Sequence, residues 1–572
     1  LVIGIDLGTT NSALAFGEDE AVQAFAVEQV VQPGEVRAES LLPSFVYLPG
    51  PKDFAEGATA LPWDEQPKYV VGTLARRRGA ESMGRLVASA KSWLSYAGVD
   101  RNEAILPVHA PDGVAKISPV EASRAYLEHL NEAWQHAGHP ALGEHEVVLT
   151  VPASFDAVAR QLTEKAAREA GITKLVLLEE PQAAFYAWIG KHADWREKVG
   201  PGDRVLIIDI GGGTTDFTLI DVKDQGGELT LERVAVGDHI LLGGDNMDLA
   251  LARHLETKMP KLDAQQLQAL WQQCRAAKEV LLDPESTVTA QPVTILGRGS
   301  SLIGGTIKSK LTRAEVEQIL VEGFFPHVAP DEELAKTRRS ALTEIALPYA
   351  SDARITAHLA HFVKQCGAAP THVLFNGGVL RAGLVRDRIL SSLNLWLPKP
   401  VKVLDGEDLM LAVARGAAYY GLARQGKGIR IRGGVPRTYY VGIEDAMPAV
   451  PGMAAPMKAF TVVPFGMEEG TAHQYPGRKF GLYVGEPVEF RIFSSTERRG
   501  DEAGALLEPM PKDLKELPAM EITLAPTAKT PVGLVAVTLE SHVTATGVLE
   551  LFCVAASGDR WKLEFSVRER KA

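Results

Sequence analysis

Two stretches of this chain repeat one layout, and that repeat constrains the fold more than any other feature. Residues 1–16 read LVIGIDLGTTNSALAF and residues 204–220 read RVLIIDIGGGTTDFTLI. Each is an apolar strand ending in an aspartate, Asp6 or Asp209, then a glycine-containing turn with adjacent threonines, then a returning apolar strand. Glycine lets the backbone bend tightly, and the apolar runs on either side predict hairpin arms. A repeat this long points to a duplicated domain rather than a solenoid. Both turns lead back into a strand and no GxxxxGK[ST] pattern occurs, which disfavours the two commonest nucleotide-binding layouts.

Two such turns facing one another form a polyphosphate clamp, because freed backbone N–H groups and neighbouring hydroxyls donate to phosphate oxygens. Carboxylates repel phosphate and suit instead a hydrated Mg²⁺, which keeps several waters and takes few protein ligands. The layout therefore predicts Asp6, Asp209 and Asp216 around the metal, acting through water. It predicts Gly8, Thr9, Thr10, Asn11, Gly211, Gly212, Gly213, Thr214 and Thr215 on the phosphates.

Around the repeat, a basic helix is expected over 75–96, with Arg76, Arg77 and Arg78 at its start. A strand at 146–151 is followed by Pro152 and a helix over about 154–170, stopped by Gly171. A strand at 175–178 runs into EEP at 179–181 and a helix from about 182. Further helices are expected near 246–256, 264–282 and 312–323, with a mostly helical stretch over 331–366. A strand at 372–375 and helices to about 393 and over 408–422 complete the region. The basic, glycine-rich GKGIRIRGGVP at 426–436 reads as a linker. Beyond it the period is two: Val488, Phe490 and Ile492 alternate with Glu489 and Arg491, and Trp561, Leu563, Phe565 and Val567 form a last strand. The expected units are a lobe at 1–200, a second at 201–404, a helix returning to the first at 405–425, a linker at 426–437 and a β-sandwich at 438–572.

With 60 basic and 72 acidic side chains among 572 residues, the net charge is −12, which argues against nucleic-acid or membrane partners. Three scattered cysteines predict a reducing compartment. With no long apolar run and no leader pattern at the start, a cytoplasmic location is expected.

The motifs IGIDLGTTNS (3–12), VPASF (151–155), IDIGGGTTDFTL (208–219) and LGGDNMD (242–248), with weaker EEPQAA (179–184) and NGG (376–378), resemble the seventy-kilodalton heat-shock (DnaK-type) chaperone family. The similarity covers about residues 1–424. It implies an α/β actin-like ATPase fold with two duplicated ribonuclease-H-like lobes, followed by a β-sandwich, and it implies ATP or ADP and Mg²⁺ as ligands. It places Asp6, Asp209 and Asp216 around the magnesium, Glu180 beside the attacking water, and Thr214 on the γ-phosphate. Gly243 and Gly244 resemble the turn beneath the phosphates. Lys278, Gly377, Gly378 and Arg381 resemble residues enclosing adenosine, and Pro152 resembles a relay between lobes.

The chain also departs from that pattern. Arg76 stands where the family places an essential lysine, and arginine's planar fork is a different tool from a compact ammonium. Arg275 stands where an acidic residue often contacts ribose, and Val379 replaces a small hydroxyl residue. The linker lacks the family's apolar, acid-ended run, which predicts coupling of only a few-fold between nucleotide and the β domain. A divergent member without the family's helical lid is expected. The leading expectation is a chaperone-like ATPase acting on unfolded or extended peptide segments or a dedicated protein partner, with cochaperones possible. A nucleotide-regulated interaction protein with little turnover, and a small-molecule kinase, remain as alternatives.

Overall fold

The computed structural model describes residues 1–18, 21–108, 110–225, 228–297, 305–335, 347–406, 408–427, 435, 437–445, 455–467, 471–517, 520–544 and 549–563. Each copy of the repeat builds the centre of a sheet. In the first, the order is Leu175–Glu179, Glu146–Val151, Val2–Leu7, Asn11–Glu18, Ala21–Phe25. Val2–Leu7 runs parallel to Glu146–Val151 and antiparallel to Asn11–Glu18. In the second, the order is Glu228–Val236, Thr215–Gln225, Arg204–Ile210, His372–Asn376, Lys402–Leu404. Arg204–Ile210 again has an antiparallel hairpin partner on one side and a parallel strand on the other. Asp6 and Asp209 are thus each the penultimate residue of a central strand, and the register sets Asp209 opposite Asp216.

The two lobes share apolar interior. Val2 and Val148 from the first sheet and Val205 and Ile207 from the second belong to one buried cluster with Phe185, Ala417 and Tyr420. These last three come from the helices Glu180–Lys191 and Ala412–Leu422, which approach closely where Gly416 lies against the backbone of Ala183 and Ala187, while Ala418 lies against Gly4 of the first sheet. Short side chains let the two backbones approach and seat both helices between the sheets.

Two expected elements divide. The stretch 75–96 is a helix Thr73–Glu81, then a strand Leu86–Val87 paired with Val46–Tyr47, then a second helix Ala90–Ser95. Ser89 turns the chain between them at φ 55°, a left-handed conformation sparsely populated by residues other than glycine. The alternation from Val488 to Ile492 likewise belongs to two strands. Pro487–Phe490 pairs with Met520–Thr523, whereas Ile492–Ser495 joins Thr438–Glu444, because Arg491 gives its carbonyl to Gly442 N–H and the chain changes sheets there. Within 331–366 the described helix is Ile355–Cys366. The last strand is described as Arg560–Leu563, and its expected continuation through Phe565 and Val567, like most of the 426–437 linker, lies outside the described residues.

The C-terminal region holds a five-stranded sheet around Thr438–Glu444 and a four-stranded sheet, Ala472–Val484, Gly533–Val543, Leu549–Ala555 and Arg560–Leu563. Tyr439, Val441 and Phe460 of the first share a core with Val537, Leu539 and Leu551 of the second. Among the described residues, no helix is long and apolar enough to cross a membrane.

Candidate functional site

A cleft of about 970 Å³ opens between the lobes, and the two repeated turns meet across it. A Cβ on Gly212 would sit 2.1 Å from Thr10 Oγ1, and one on Gly213 would sit 2.8 Å from Thr9 Cγ2. Any side chain at Gly212 would therefore collide with the opposing turn. The carbonyls of Gly211 and Gly212 accept from the N–H groups of Gly244 and Asp245 at 3.0 and 2.7 Å, so the start of helix Gly244–Glu256 braces the second turn. Among the described residues, the N–H groups of Thr9, Thr10, Gly212 and Gly213 enter no backbone hydrogen bond and remain available to a ligand.

Gly8, Thr9, Thr10, Asn11, Gly211, Gly212, Thr214 and Gly244 line the cleft. Gly213 faces Thr9. Thr215 does not face the cleft: it is fully buried, and its hydroxyl donates to the Leu242 carbonyl at 2.8 Å. Gly243 N–H donates to Asn246 Oδ1 at 3.0 Å and holds the bracing helix start.

Asp6, Asp209 and Glu180 line the cleft as well. Thr150 Oγ1 donates to Asp6 at 3.3 Å and Asn376 Nδ2 to Asp209 at 2.6 Å. Although Asp6 and Asp209 keep part of their surface on the cleft, desolvation by the surrounding protein lifts Asp6 to about 7 and Asp209 to about 8. Glu180 pushes both in the same direction by like-charge repulsion, and burial raises Glu180 itself. Gly377 lies against Asp209 at φ 91°, where a Cβ would fall 2.7 Å from Asp209 Oδ1.

The cation among these carboxylates is Lys91, a residue the sequence reading did not single out. Its ammonium pairs with Glu180 and is almost fully buried. Burial alone would lower its pKa, but Glu180 and Asp6 outweigh that and raise it. Arg76 also lines the cleft, but the charges that act on it are Glu279, Arg275, Arg77 and Glu39. The sequence signal was a lysine among Ala90, Trp93 and Leu94, all buried on one short helix.

Asp216 faces Asp209 across the hairpin but does not line the cleft. It accepts from Ser154 Oγ at 2.9 Å and contacts His239 Nδ1 at 3.1 Å. Among the described residues, no three His, Cys, Asp or Glu side chains are placed to hold a metal directly. The donor set still fits a hydrated Mg²⁺. Asp6 and Asp209 are hard oxygen donors whose charges Lys91 alone does not balance, beside a cradle of free N–H groups.

Lys278, Gly377, Gly378 and Arg381 also line the cleft. Lys278 Nζ contacts Asp248 Oδ1 at 2.6 Å, while Arg275 bonds Asp248 at 3.0 Å and pairs with Asp245. Arg381 is half-exposed, 3.5 Å from Asp283.

Behind the cleft, Pro152 opens the loop that the C-terminal region touches. Its carbonyl accepts from Phe155 N–H at 3.1 Å. Arg437 donates to the Ser154 carbonyl at 2.8 Å, and Tyr439 Oη accepts from Ala157 N–H at 3.0 Å.

A family model described as Hsp70 protein matches residues 2–345. A chaperone protein HscA homolog of Cupriavidus necator is 34% identical over 295 residues, covering 50% of this chain and 42% of its own. The HscA homolog of Bordetella pertussis is 33% identical over 328 residues, 56% of this chain and 46% of its own. The chaperone protein DnaK of Burkholderia cenocepacia is 28% identical over 332 residues, 56% and 47% respectively. The chain therefore spans under half the length of these relatives.

Proposed function

The chain belongs to the Hsp70 family, and from that footing we propose that it binds Mg·ATP between its lobes, hydrolyses it to ADP and phosphate, and passes the nucleotide state to a C-terminal β-sandwich that holds an extended peptide or a dedicated protein partner. The observation that carries this reading is the pair of turns meeting at Gly212 and Thr10 in the same cleft that Asp6, Asp209 and the Lys91–Glu180 pair line. The shared strand order of the two sheets supports reading the lobes as duplicated ribonuclease-H-like units.

The N–H groups of both turns and the hydroxyls of Thr9, Thr10 and Thr214 hold the phosphate chain. Asp6 and Asp209 would hold a hydrated magnesium, which would supply charge neutralisation to the phosphates. Glu180, fixed by Lys91, orients a water whose oxygen bonds to the γ-phosphorus as the bond to the bridging oxygen breaks and ADP departs with its electron pair. Lys91 also places positive charge beside the reacting group. Its burial makes that charge stronger than it would be in water. Lys278, Gly377, Gly378 and Arg381 enclose the nucleoside. Catalysis rests on positioning and charge, with no covalent enzyme intermediate.

Calorimetric titration of the full chain with ATP and Mg²⁺, followed by a single-turnover assay, tests the reading. Near-stoichiometric binding followed by phosphate release is expected. A flat titration of folded protein sinks it, and binding without release leaves a nucleotide-switched interaction protein.

A further inference from the structure

Three charged side chains lie buried where the two lobes and the C-terminal region meet. Glu179, the last residue of strand Leu175–Glu179, takes Arg160 at 2.6 Å on one carboxylate oxygen and pairs with Arg233 on the other. All three are more than nine-tenths buried, with exposures of 3% for Glu179, 4% for Arg160 and 6% for Arg233. Arg160 stands on helix Ala157–Glu169 of the first lobe, and Arg233 comes from strand Glu228–Val236 of the second. The C-terminal region flanks both ends of the triad. Tyr439 binds Ala157, one helical turn before Arg160, and Arg499 donates to the carbonyl of Val234, next to Arg233.

Desolvating three charges is costly, and their mutual attraction seldom makes such a triad a net source of stability. Its best-attested use is to fix one arrangement over others. Here the arrangement fixed is the exit of the strand that delivers Glu180, since Glu179 precedes it directly. Resting on the ATPase reading above, we infer that Arg233 is an interlobe positioning residue: it ties the placement of Glu180 to the second lobe, and the C-terminal region shields that tie from water.

The test uses the full chain with Arg233→Met, Arg233→Lys and Arg499→Ala. Two quantities are read, single-turnover hydrolysis alongside ATP affinity, and hydrogen exchange of the nucleotide-free protein over residues 175–179. Arg233→Met should slow turnover about tenfold or more while ATP affinity stays within about threefold, a split that a general loss of structure does not produce. Exchange over 175–179 should rise, and Arg233→Lys should recover most of both because an ammonium can hold the single contact. Arg499 is exposed, so Arg499→Ala stays informative even if Arg233→Met fails to fold, and it too should raise exchange in that segment. Parent-like turnover and exchange in Arg233→Met, or unchanged exchange in Arg499→Ala, overturns the inference. If the unaltered chain binds ATP without hydrolysing it, the ATPase reading fails, and the exchange measurement alone then decides for or against Arg233.

Discussion

The carbonyl oxygen of Ser154 accepts a hydrogen bond from the Arg437 guanidinium at 2.8 Å, while the hydroxyl of the same residue donates to Asp216 at 2.9 Å. One residue thereby touches the last residue of the linker and a carboxylate that faces Asp209 across the hairpin. Linker composition alone predicts weak coupling, because an apolar run is missing. The contact at Ser154 needs no apolar run: Arg437, the last residue of the linker, is itself about nine-tenths buried there.

Coupling should therefore be strong and should depend on Arg437. A ligand shifts an equilibrium only by its differential affinity for two states, and a buried guanidinium bond is a sizeable difference. Fluorescence anisotropy with a labelled extended peptide should show affinity changing about tenfold or more between ATP and ADP, roughly 1.4 kcal/mol. Arg437→Ala should reduce that ratio to about twofold. Equal ratios in parent and variant would show that the contact transmits nothing.

Lys91 and Arg76 are predicted to separate cleanly. Lys91→Ala leaves Glu180 and Asp6 buried without their cation, so both carboxyls protonate more readily and Glu180 loses its orientation. Single-turnover hydrolysis should fall about a hundredfold or more, a barrier increase of about 2.7 kcal/mol, with ADP affinity changed far less. Arg76→Ala, acting among Glu279 and Arg275, should cost less than about threefold in the same assay. The reverse ranking would return the catalytic cation to Arg76.

The contrast between these two residues shows what the sequence carries and what it hides. The strand–aspartate–turn repeat is legible because each copy is local: apolar alternation, aspartate and glycine turn fall within seventeen residues or fewer, and Asp6 and Asp209 emerge at matching places. Lys91 is hidden because Leu86–Val87 and the left-handed Ser89 break what reads as one basic helix, so its position cannot be counted from Arg76. Glu179 and Arg233 are further out of reach, since their pairing depends on two lobes closing over a charge pattern with no local signature. In the β region the alternation holds over Arg560–Leu563, where Trp561 and Leu563 are buried, and at Val488 and Phe490, which are half-buried, but Arg491 sends the Val488–Ile492 run to two different sheets, a choice fixed by long-range pairing with Gly442.

Gly212→Ala tests the meeting of the turns. The added methyl would fall 2.1 Å from Thr10 Oγ1 and 2.9 Å from Thr10 Cβ, so the turns must part. The site lies on the cleft surface rather than in a core, which should leave the melting temperature within a few degrees, about 1 kcal/mol or less. ATP affinity should drop about a hundredfold or more as the phosphate cradle opens. Retained affinity would place the phosphates elsewhere in the cleft.

The last prediction concerns pH. Asp6 and Asp209 have pKa values of about 7 and about 8 in the fold, raised mainly by desolvation above the ordinary 3.8. A carboxyl raised in this way contributes stability in full below its unfolded value, and that contribution is lost as pH rises through the folded value. The nucleotide-free protein should therefore lose stability between about pH 4 and pH 8 on account of these two groups. Asp209→Asn cannot ionise, and its melting temperature should fall less than the parent's between pH 6 and pH 9. Mg²⁺ prefers the ionised carboxylates, so binding of Mg·ADP near pH 7 should expel protons, on the order of one per site. Calorimetry in two buffers of different ionisation enthalpy reads that number directly, and Asp209→Asn should lower it. If the parent and Asp209→Asn melt with the same pH slope and release the same protons, Asp209 is already ionised in the empty cleft, and Lys91 balances more of the acidic charge than burial alone allows.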